Sequence, residues 1–295
     1  MSSASPETCV SESRLPVGYL NVYHLFNKVP DVPNFLCNQY PFIHLFGLSE
    51  TRLNCRVSDE SIAIPHYAIY RRDIVKQGET GLALYVDNFI QNITTRHTDL
   101  ESQCIESLWV EMCIPKTPSL LVEHVYQDPA ATYEWYDEFV AILDKVSESK
   151  SNGLLLGVFN IDLLKPHWES TFPILGLNQL ITQPTRVTCS TNTLTDHIHT
   201  NNPNLVHSIP VPNIAISDHF PVLCTWSVKL PRRTPKDHTT IQYRTFKQFN
   251  KDAFLFDLLL SVMFIRLIIL MMLCQFGTIL SCQSSTFMLH YVRKE

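Results

Sequence analysis

The sequence predicts an α/β or α+β fold in which strands outnumber helices. Short apolar runs recur between polar breaks along most of the chain, which is typical of many strands. Residues 131–146 instead carry apolar side chains at three-to-four spacing, which indicates an amphipathic helix. The chain has 295 residues and is 45% hydrophobic, enough for a large core, and its aromatic content excludes disorder for most of its length.

The predicted elements follow one another without an internal repeat. We expect nine strands, near residues 18–23, 41–48, 61–70, 81–86, 106–114, 120–126, 153–159, 194–200 and 221–228. A first helix is expected at 33–39, because Pro33 preceded by Asp31 is typical of a helix start. The second helix is the amphipathic segment at 131–146.

Charge is distributed unevenly along the chain. Residues 1–257 hold 20 of the 23 basic and 27 of the 28 acidic side chains, whereas residues 258–280 hold one charge, Arg266. We therefore predict a disordered leader at 1–16, a folded domain at 17–228, a linker at 229–257 and a separate apolar tail at 258–295. Two prolines and four bases within 229–236 favour an exposed linker, with a basic arm that contacts phosphate as the alternative.

The cysteines and the N-terminus indicate an intracellular protein. Nine cysteines without a C-x-x-C pair predict buried, reduced thiols and not a disulfide framework. The Ser-rich first 14 residues lack the apolar stretch of a signal peptide. The net charge of −5 argues against general electrostatic binding of nucleic acid but is compatible with a local phosphate site.

Polar side chains stand at the ends of five predicted strands. They are Asn21, Glu50, Asn160, Asp196 and the neighbours Asp218 and His219. Singly, each also fits a structural role, such as a strand cap, a surface acid, a turn or a core histidine. Together they match a phosphodiester site that uses Mg²⁺, because Mg²⁺ takes oxygen ligands and usually keeps several waters.

Over residues 20–254 these motifs resemble the endonuclease/exonuclease/phosphatase superfamily. The closest branch is the apurinic-type endonuclease domain of LINE-type (non-LTR) retrotransposon polyproteins. The landmarks are Leu20-Asn21-Val22, Leu48-Ser49-Glu50-Thr51, Gly157-Val158-Phe159-Asn160, Gln183-Pro184-Thr185-Arg186, Asp196-His197-Ile198 and Ser217-Asp218-His219-Phe220-Pro221. The resemblance implies a four-layered α/β/β/α sandwich of two mixed sheets flanked by helices, Mg²⁺- or Mn²⁺-dependent cleavage of DNA, and a nuclear location.

The resemblance also implies roles for single residues. Glu50 would be the principal metal ligand, with Asn21 at the metal and Asp218 supporting it. The phosphate chemistry would fall to Tyr126, Asn160 and His219, with Asp196 accepting a hydrogen bond from the ring of His219. Strand alternation agrees, because Asp196 and Ile198 share one face while His197 and His199 point to the other. Since no third ligand is evident, a metal site at that histidine pair is not expected.

One position departs from the family pattern. The motif Gly-Asp-Phe-Asn reads Gly157-Val158-Phe159-Asn160 here, and Val158 cannot accept the proton of the attacking water. We therefore predict an intact fold with impaired catalysis. Glu79 and Asp128 are further departures that would make the DNA-facing rim more acidic and weaken DNA binding. The alternatives are a non-catalytic DNA- or protein-binding remnant, or a phosphoesterase of another branch acting on a lipid, nucleotide or sugar.

The apolar tail admits three interpretations. Residues 258–280 are long enough to span a bilayer, but Arg266 and Gln275 argue against a membrane segment. A fortuitous apolar segment is the second interpretation. The third is out-of-frame translation after a frameshift near residues 258–261, since one back-translation of residues 269–280 yields an acidic string like the connector expected in the family.

Overall fold

Two six-stranded sheets dominate the computed structural model, which describes residues 14–147, 151–165, 172, 176–228, 230, 251, 253 and 255–256. The strands, in chain order, are β1 Arg14–Asn21, β2 Leu45–Ser49, β3 Tyr67–Arg72, β4 Leu82–Asp87, β5 Thr94–Arg96, β6 Glu106–Met112, β7 Leu120–Tyr126, β8 Asn152–Val158, β9 Asn178–Gln179, β10 Arg186–Val187, β11 Asn192–Thr193, β12 Asp196–Thr200, β13 Val206–Ile209 and β14 Val222–Ser227. The first sheet has the order β13-β14-β1-β2-β4-β3 and the second β5-β6-β7-β8-β12-β9, while β10 and β11 form a separate ribbon.

Both sheets are mixed. β1 and β2 are parallel in the first sheet, and β7 and β8 are parallel in the second. The other pairings described within the two sheets are antiparallel. Each sheet therefore has one pair of adjacent strands whose carboxyl ends lie side by side at the same edge.

Helical segments pack against the outer faces of both sheets, and one short helix, which carries Ile90, packs at the core between the sheets. The helices are α1 at Asp31–Asn34, which continues as a π-helical turn at Phe35–Gln39, α2 at Asn88–Gln91 and α3 at Tyr133–Ser147. Two 3₁₀ turns span Leu25–Lys28 and Asp59–Ile62. Both predicted helices are thus present, although the first is built from two short helical types.

Three apolar layers alternate with the two sheets. Strand β8 shows why, because Leu154 and Leu156 pack between the sheets while Leu155 packs outward with Trp135 and Phe139 of α3. The first sheet packs its outer face in the same way against the helical segment that contains Phe35. The predicted four-layered α/β/β/α sandwich is confirmed.

Several predicted boundaries are wrong for local reasons. The strand expected at 61–70 begins only at Tyr67, because residues 59–62 form a 3₁₀ turn and His66 adopts a left-handed backbone with φ of 71°. The strand expected at 41–48 begins at Leu45, after a turn in which the N–H of Ile43 donates to the carbonyl of Tyr40. The predicted leader extends too far, since residues 14–16 already belong to β1.

The remaining domain predictions fall largely outside the described residues. Residues 1–13 of the leader, most of the linker and all of 258–295 lie there, so the three interpretations of the tail stay predictions. The chain divides into two compact units, Met1–Thr234 and Pro235–Glu295. Within the part of the chain that is described, no helix has the length and apolar character needed to cross a membrane.

The described cysteines are all free thiols. Cys224 is buried in the core, whereas Cys55, Cys104, Cys113 and Cys189 are exposed. The prediction of burial is wrong for most of the described cysteines.

Candidate active site

The predicted site residues meet at one edge of the sandwich. Asn21 ends β1 and Glu50 follows β2, so these two parallel neighbours present both side chains at the same edge. Asn160 follows β8, and Asp196 opens the antiparallel neighbour β12. These elements enclose a cleft of about 640 Å³. Its lining includes Asn21, Tyr23, Lys28, Glu50, Asn160, Arg186, Thr195, Ser217, Asp218 and His219.

Glu50 and Asn21 are held together at the floor of this cleft. The amide Nδ2 of Asn21 donates to Oε1 of Glu50 at 2.8 Å, and the backbone N–H of Tyr23 donates to Oδ1 of Asn21 at 3.2 Å. The second carboxylate oxygen of Glu50 lies 3.6 Å from the guanidinium of Arg52. The carboxylate is therefore oriented on one side and still reaches the cleft.

Backbone strain is concentrated around the cleft. Tyr23, Glu50 and Asn160 adopt left-handed backbone angles, with φ of 42°, 54° and 51°. Such conformations cost of order 1–3 kcal/mol for residues other than glycine and persist where surrounding contacts enforce them. Gly157 is required for a related reason, because its φ is 151° and an added Cβ would lie 1.8 Å from the carbonyl oxygen of Val125. The loops at this edge are fixed in shape by their neighbours.

Asp196 and His219 form a buried pair. Nδ1 of His219 lies 2.6 Å from Oδ2 of Asp196, and the Thr185 hydroxyl donates to the same oxygen at 2.6 Å. Burial lowers the pKa of His219, but the charge and hydrogen bond of Asp196 outweigh burial, so the pKa lies above its usual value. Because Nδ1 is occupied, Nε2 is the ring nitrogen left to donate to a ligand in the cleft.

Val158 lies between Tyr126 and Asp196 in a row of three residues that runs across β7, β8 and β12. It is fully buried, and its register partners are Tyr126 on β7 and Asp196 on β12. Its side chain packs with the apolar core between the sheets. Oδ1 of Asp196 is buried and has no hydrogen-bond partner among the described residues. The middle residue of this row, Val158, therefore has no side-chain group that can accept a proton.

Asn160 and Tyr126 lie side by side between two clefts. Nδ2 of Asn160 donates to the carbonyl of Gln127 at 2.7 Å. Burial and the charge of Glu50 raise the pKa of Tyr126 to about 12, against a hydrogen bond from Asn160 that lowers it. Tyr126 lines a second cleft, of about 170 Å³. The predicted phosphate contact of Tyr126 would thus come from the side of this neighbouring cleft.

The second cleft also contains the two acids predicted to weaken DNA binding. Glu79 and Asp128 both line it, together with the basic residues Arg72 and Lys76. Glu79 is turned into its own loop, where its carboxylate accepts from the N–H of Val75 at 2.7 Å. The lining of this cleft is therefore of mixed charge.

Asp218 lies at the cleft but is paired with a cation. Its Oδ2 accepts from Nε of Arg186 at 2.8 Å and lies 2.7 Å from Nη2. Burial raises the pKa of Asp218, but Arg186 and His219 outweigh burial and lower it. Sequence reasoning found the Pro184-Thr185-Arg186 motif without assigning these contacts, which depend on a ribbon folding back over the site. Lys28, Ser217 and Tyr23 were likewise not predicted as site residues.

The donor set fits Mg²⁺ with few protein ligands. Glu50 supplies one carboxylate and Asn21 one amide oxygen, and Mg²⁺ is often held by one or two carboxylates plus waters. Asp218 is engaged by Arg186 and is less suited to the supporting role predicted for it. No group of three or more His, Cys, Asp or Glu side chains is arranged as a metal site within the described residues.

His197 and His199 lie behind the cleft on the outer face of the second sheet. The ring of His197 stacks on Phe159 with centroids 5.0 Å apart, and its Nε2 lies 3.0 Å from the carbonyl of Ile161. His199 stacks on Phe172 with centroids 3.9 Å apart. Burial lowers the pKa of His197 to about 4 and that of His199 well below its usual value. Both rings are therefore neutral, and they support the loop that begins at Asn160.

Comparison with known proteins identifies the fold. No family model and no curated protein matches the chain. The AP endonuclease LMAP from Leishmania major is similar in structure, with a TM-score of 0.57 and 13% identity over 73% of this chain and 88% of that chain. The 3′ phosphatase NExo from Neisseria, bound to a product DNA hairpin, has a TM-score of 0.54 and 15% identity over 72% and 99%. A mannosyl-6-phosphatase from Bacteroides thetaiotaomicron has a TM-score of 0.52 and 14% identity over 71% and 98%. The chain therefore has the α/β sandwich fold of endonuclease/exonuclease/phosphatase proteins.

Proposed function

We propose that this chain is a Mg²⁺-dependent phosphodiesterase domain, a DNA endonuclease derived from a non-LTR retrotransposon, whose catalysis is impaired by Val158. One observation carries the proposal: His219, held from behind by the buried Asp196, lines the same cleft as the Asn21–Glu50 pair. A cationic donor facing an oxygen donor set is the arrangement that a phosphodiester site needs.

Each side chain has a defined task in this proposal. Glu50 and Asn21 would hold Mg²⁺ (or Mn²⁺), which when bound neutralises phosphate charge and lowers the pKa of water. His219 donates from Nε2 to a phosphoryl oxygen, and Asp196 keeps that ring oriented and protonated. Asn160 donates a further hydrogen bond as charge builds on the phosphate.

Val158 interrupts this arrangement at the step that activates water. An isopropyl group cannot accept a proton or orient a water, and general-base assistance is commonly worth about 10²–10⁴-fold in rate. Valine suits the end of a buried strand, so the fold tolerates the change. The proposal is thus of a folded, phosphate-binding site with little hydrolytic activity.

DNA is the proposed substrate and partner, in an intracellular and specifically nuclear setting. Lys28 lines the cleft and supplies positive charge for a phosphate backbone, whereas the charge of Arg186 is shared with Asp218. Two of the similar structures described above are an AP endonuclease and a DNA-bound phosphatase. The retrotransposon origin rests on the ordered motifs, among them Gln183-Pro184-Thr185-Arg186.

The decisive experiment restores the missing carboxylate. Val158→Asp should nick supercoiled DNA with Mg²⁺ about 10²–10⁴-fold faster than the parent chain, because it restores a proton acceptor between Tyr126 and Asp196. Val158→Asn is the matched control, since it has the same shape but cannot take up the proton, and it should stay slow. Glu50→Gln in the Val158→Asp background should remove the gain. A parent chain that nicks as fast as Val158→Asp would overturn the proposal.

Two alternatives are separated by the same proteins. Similarity to a sugar phosphatase favours testing phosphate release from a sugar phosphate, and faster release than DNA nicking by Val158→Asp would assign another substrate class. If Val158→Asp binds DNA but never nicks it, the chain is a binding remnant. The retrotransposon origin is tested on the coding DNA, where a neighbouring frame after codon 257 should resume an acidic connector.

A further inference from the structure

We propose that Tyr23, followed closely by Phe26, forms a stacking platform for an unpaired nucleobase beside the phosphate cleft. This inference rests on the proposed function and specifies its substrate class. The preferred ligand would be DNA with an unpaired base at a duplex junction, and not a closed duplex.

The first observation is the exposure of Tyr23, which lines the cleft, and of Phe26, which follows it on the same loop. Tyr23 lines the cleft and is 62% exposed, and Phe26, three residues later, is 56% exposed. Aromatic side chains usually bury most of their surface, so an exposed Tyr23 at the cleft, with a second exposed aromatic side chain three residues away, indicates a ligand-binding surface. Leu25 between them is buried, so the loop has an anchored side and an open side.

The second observation is that the loop is held rigidly. The N–H of Tyr23 donates to the side-chain oxygen of Asn21. The N–H of His24 donates to the backbone carbonyl of Glu50 at 2.7 Å, and the N–H of Leu25 donates to the backbone carbonyl of Thr51 at 3.0 Å. Both Tyr23 and His24 have left-handed backbones, with φ of 42° and 80°. A platform fixed in this way loses little conformational entropy when a ligand binds.

The third observation is the chemistry of the neighbouring groups. Lys28 and His219 line the same cleft as Tyr23, so an anion site and an aromatic face lie together. A nucleotide carries a phosphate and a flat base on one sugar, which matches that combination. In a closed duplex the faces of the bases are covered by their neighbours, so only an unpaired base is available for stacking.

The test compares two DNAs of equal charge, bound to the full chain without divalent metal. One is a blunt duplex and the other is a junction with one unpaired base, and binding is followed by fluorescence anisotropy. Tyr23→Ala should weaken binding to the junction about tenfold, within the range for one stacked base, and leave binding to the blunt duplex unchanged. Tyr23→Trp should keep the preference, because it keeps an aromatic face.

A matched control comes from another exposed aromatic residue. Tyr133 opens α3 and is 88% exposed, and Tyr133→Ala should leave binding to both DNAs unchanged. A fluorescent 2-aminopurine at the unpaired position should be quenched by the parent chain and not by Tyr23→Ala. Replacing that base with an abasic site should abolish the preference for the junction.

Two results would overturn the platform. One is equal binding of the junction and the blunt duplex, and the other is an equal loss in Tyr23→Ala and Tyr133→Ala. The proposed function is judged separately by the nicking rate of Val158→Asp on supercoiled DNA. If that variant nicks and the junction is not preferred, the platform is wrong and the proposed function stands.

Discussion

The two faces of strands β8 and β12 use the same residue types for opposite purposes. On the face toward the cleft, Asp196 is paired with His219, and the pKa of that histidine lies above its usual value. On the opposite face, His197 and His199 are buried among Phe159 and Phe172, no carboxylate is hydrogen-bonded to either ring among the described residues, and burial lowers their pKa values. The difference shows that the partner of a buried histidine, and not burial alone, decides whether it is charged.

The same strands therefore carry the reactive side chains in front and their support behind. Nε2 of His197 lies 3.0 Å from the carbonyl of Ile161, immediately after Asn160, so the neutral ring braces the loop that presents Asn160 to the cleft. A charged ring behind that loop would have to be buried among aromatic side chains. We expect substitutions on the face toward the cleft to alter the nicking rate, and substitutions on the opposite face to alter the free energy of unfolding.

The largest expected effect is on the front face. In the Val158→Asp background, Asp196→Asn should slow nicking about 10²–10⁴-fold, because a neutral amide lacks the negative charge that stabilises the protonated His219 ring. The nicking rate measures this loss, and far-UV circular dichroism checks that the variant is folded.

Asp99→Asn is the control for this change, since Asp99 has an exposed carboxylate whose partner is His97. It should leave the nicking rate unchanged. An Asp196→Asn variant that nicks normally with an intact fold would break the comparison, because Asp196 would then be structural.

The next effect is on the back face and concerns pH. The folded state keeps His197 neutral down to a pKa of about 4, whereas the unfolded chain takes up that proton near pH 6.5. Stability should therefore fall as the pH falls from 6.5 to 4, by about 3 kcal/mol for His197 alone. His199→Phe keeps the aromatic contact with Phe172 and removes one titrating ring, so its urea midpoint should fall less between pH 7 and 4.5 than that of the parent.

His207 of β13 provides the control, because it is an exposed histidine on the other sheet. His207→Gln should leave the pH dependence of the urea midpoint unchanged.

His219 contributes to stability with the opposite pH dependence, since its raised pKa gives stability that is present at low pH and lost as the pH rises through that pKa. An equal acid sensitivity of the parent and His199→Phe would contradict the assignment of neutral rings to the back face.

The smallest effect concerns the link between the front face and the first sheet. The Ser217 hydroxyl donates to the carbonyl of Asn21 at 2.6 Å and accepts from the N–H of His219 at 3.1 Å. Ser217→Ala should cost about 1 kcal/mol of unfolding free energy, the usual net value of such a hydrogen bond. Urea unfolding measures it, with Ser61→Ala at an exposed turn as a control within about 0.5 kcal/mol. A Ser217→Ala loss no greater than that of Ser61→Ala would show that this link is not stabilising.

Much of this site was predictable because the information is local. The alternation along 196–199 separated Asp196 from His197 and His199 before any contact was known, since neighbouring residues of a strand point to opposite faces. The runs that end at Asn21 and Glu50 placed polar groups at strand ends. The departure at Val158 was visible in the motif alone.

Other features depended on residues far apart in the chain. The pairing of Arg186 with Asp218 crosses 32 positions, and it gives the carboxylate predicted to support a metal a cationic partner. Tyr126 was predicted as a phosphate contact, and the structure adds that it lines the neighbouring cleft while it lies close to Asn160. The strand expected at 61–70 lost its first half because the backbone turns at His66.

The sequence alone determined which polar residues stand at the end of which strand. It could do so because side-chain type and strand alternation are properties of neighbouring residues. Only the tertiary structure decided which of those groups meet. The 2.6 Å contact of Asp196 with His219 and the 2.8 Å contact of Asn21 with Glu50 each join different strands or loops. Such contacts are set by sheet register and by the packing of the two sheets, and no local pattern in the chain encodes them.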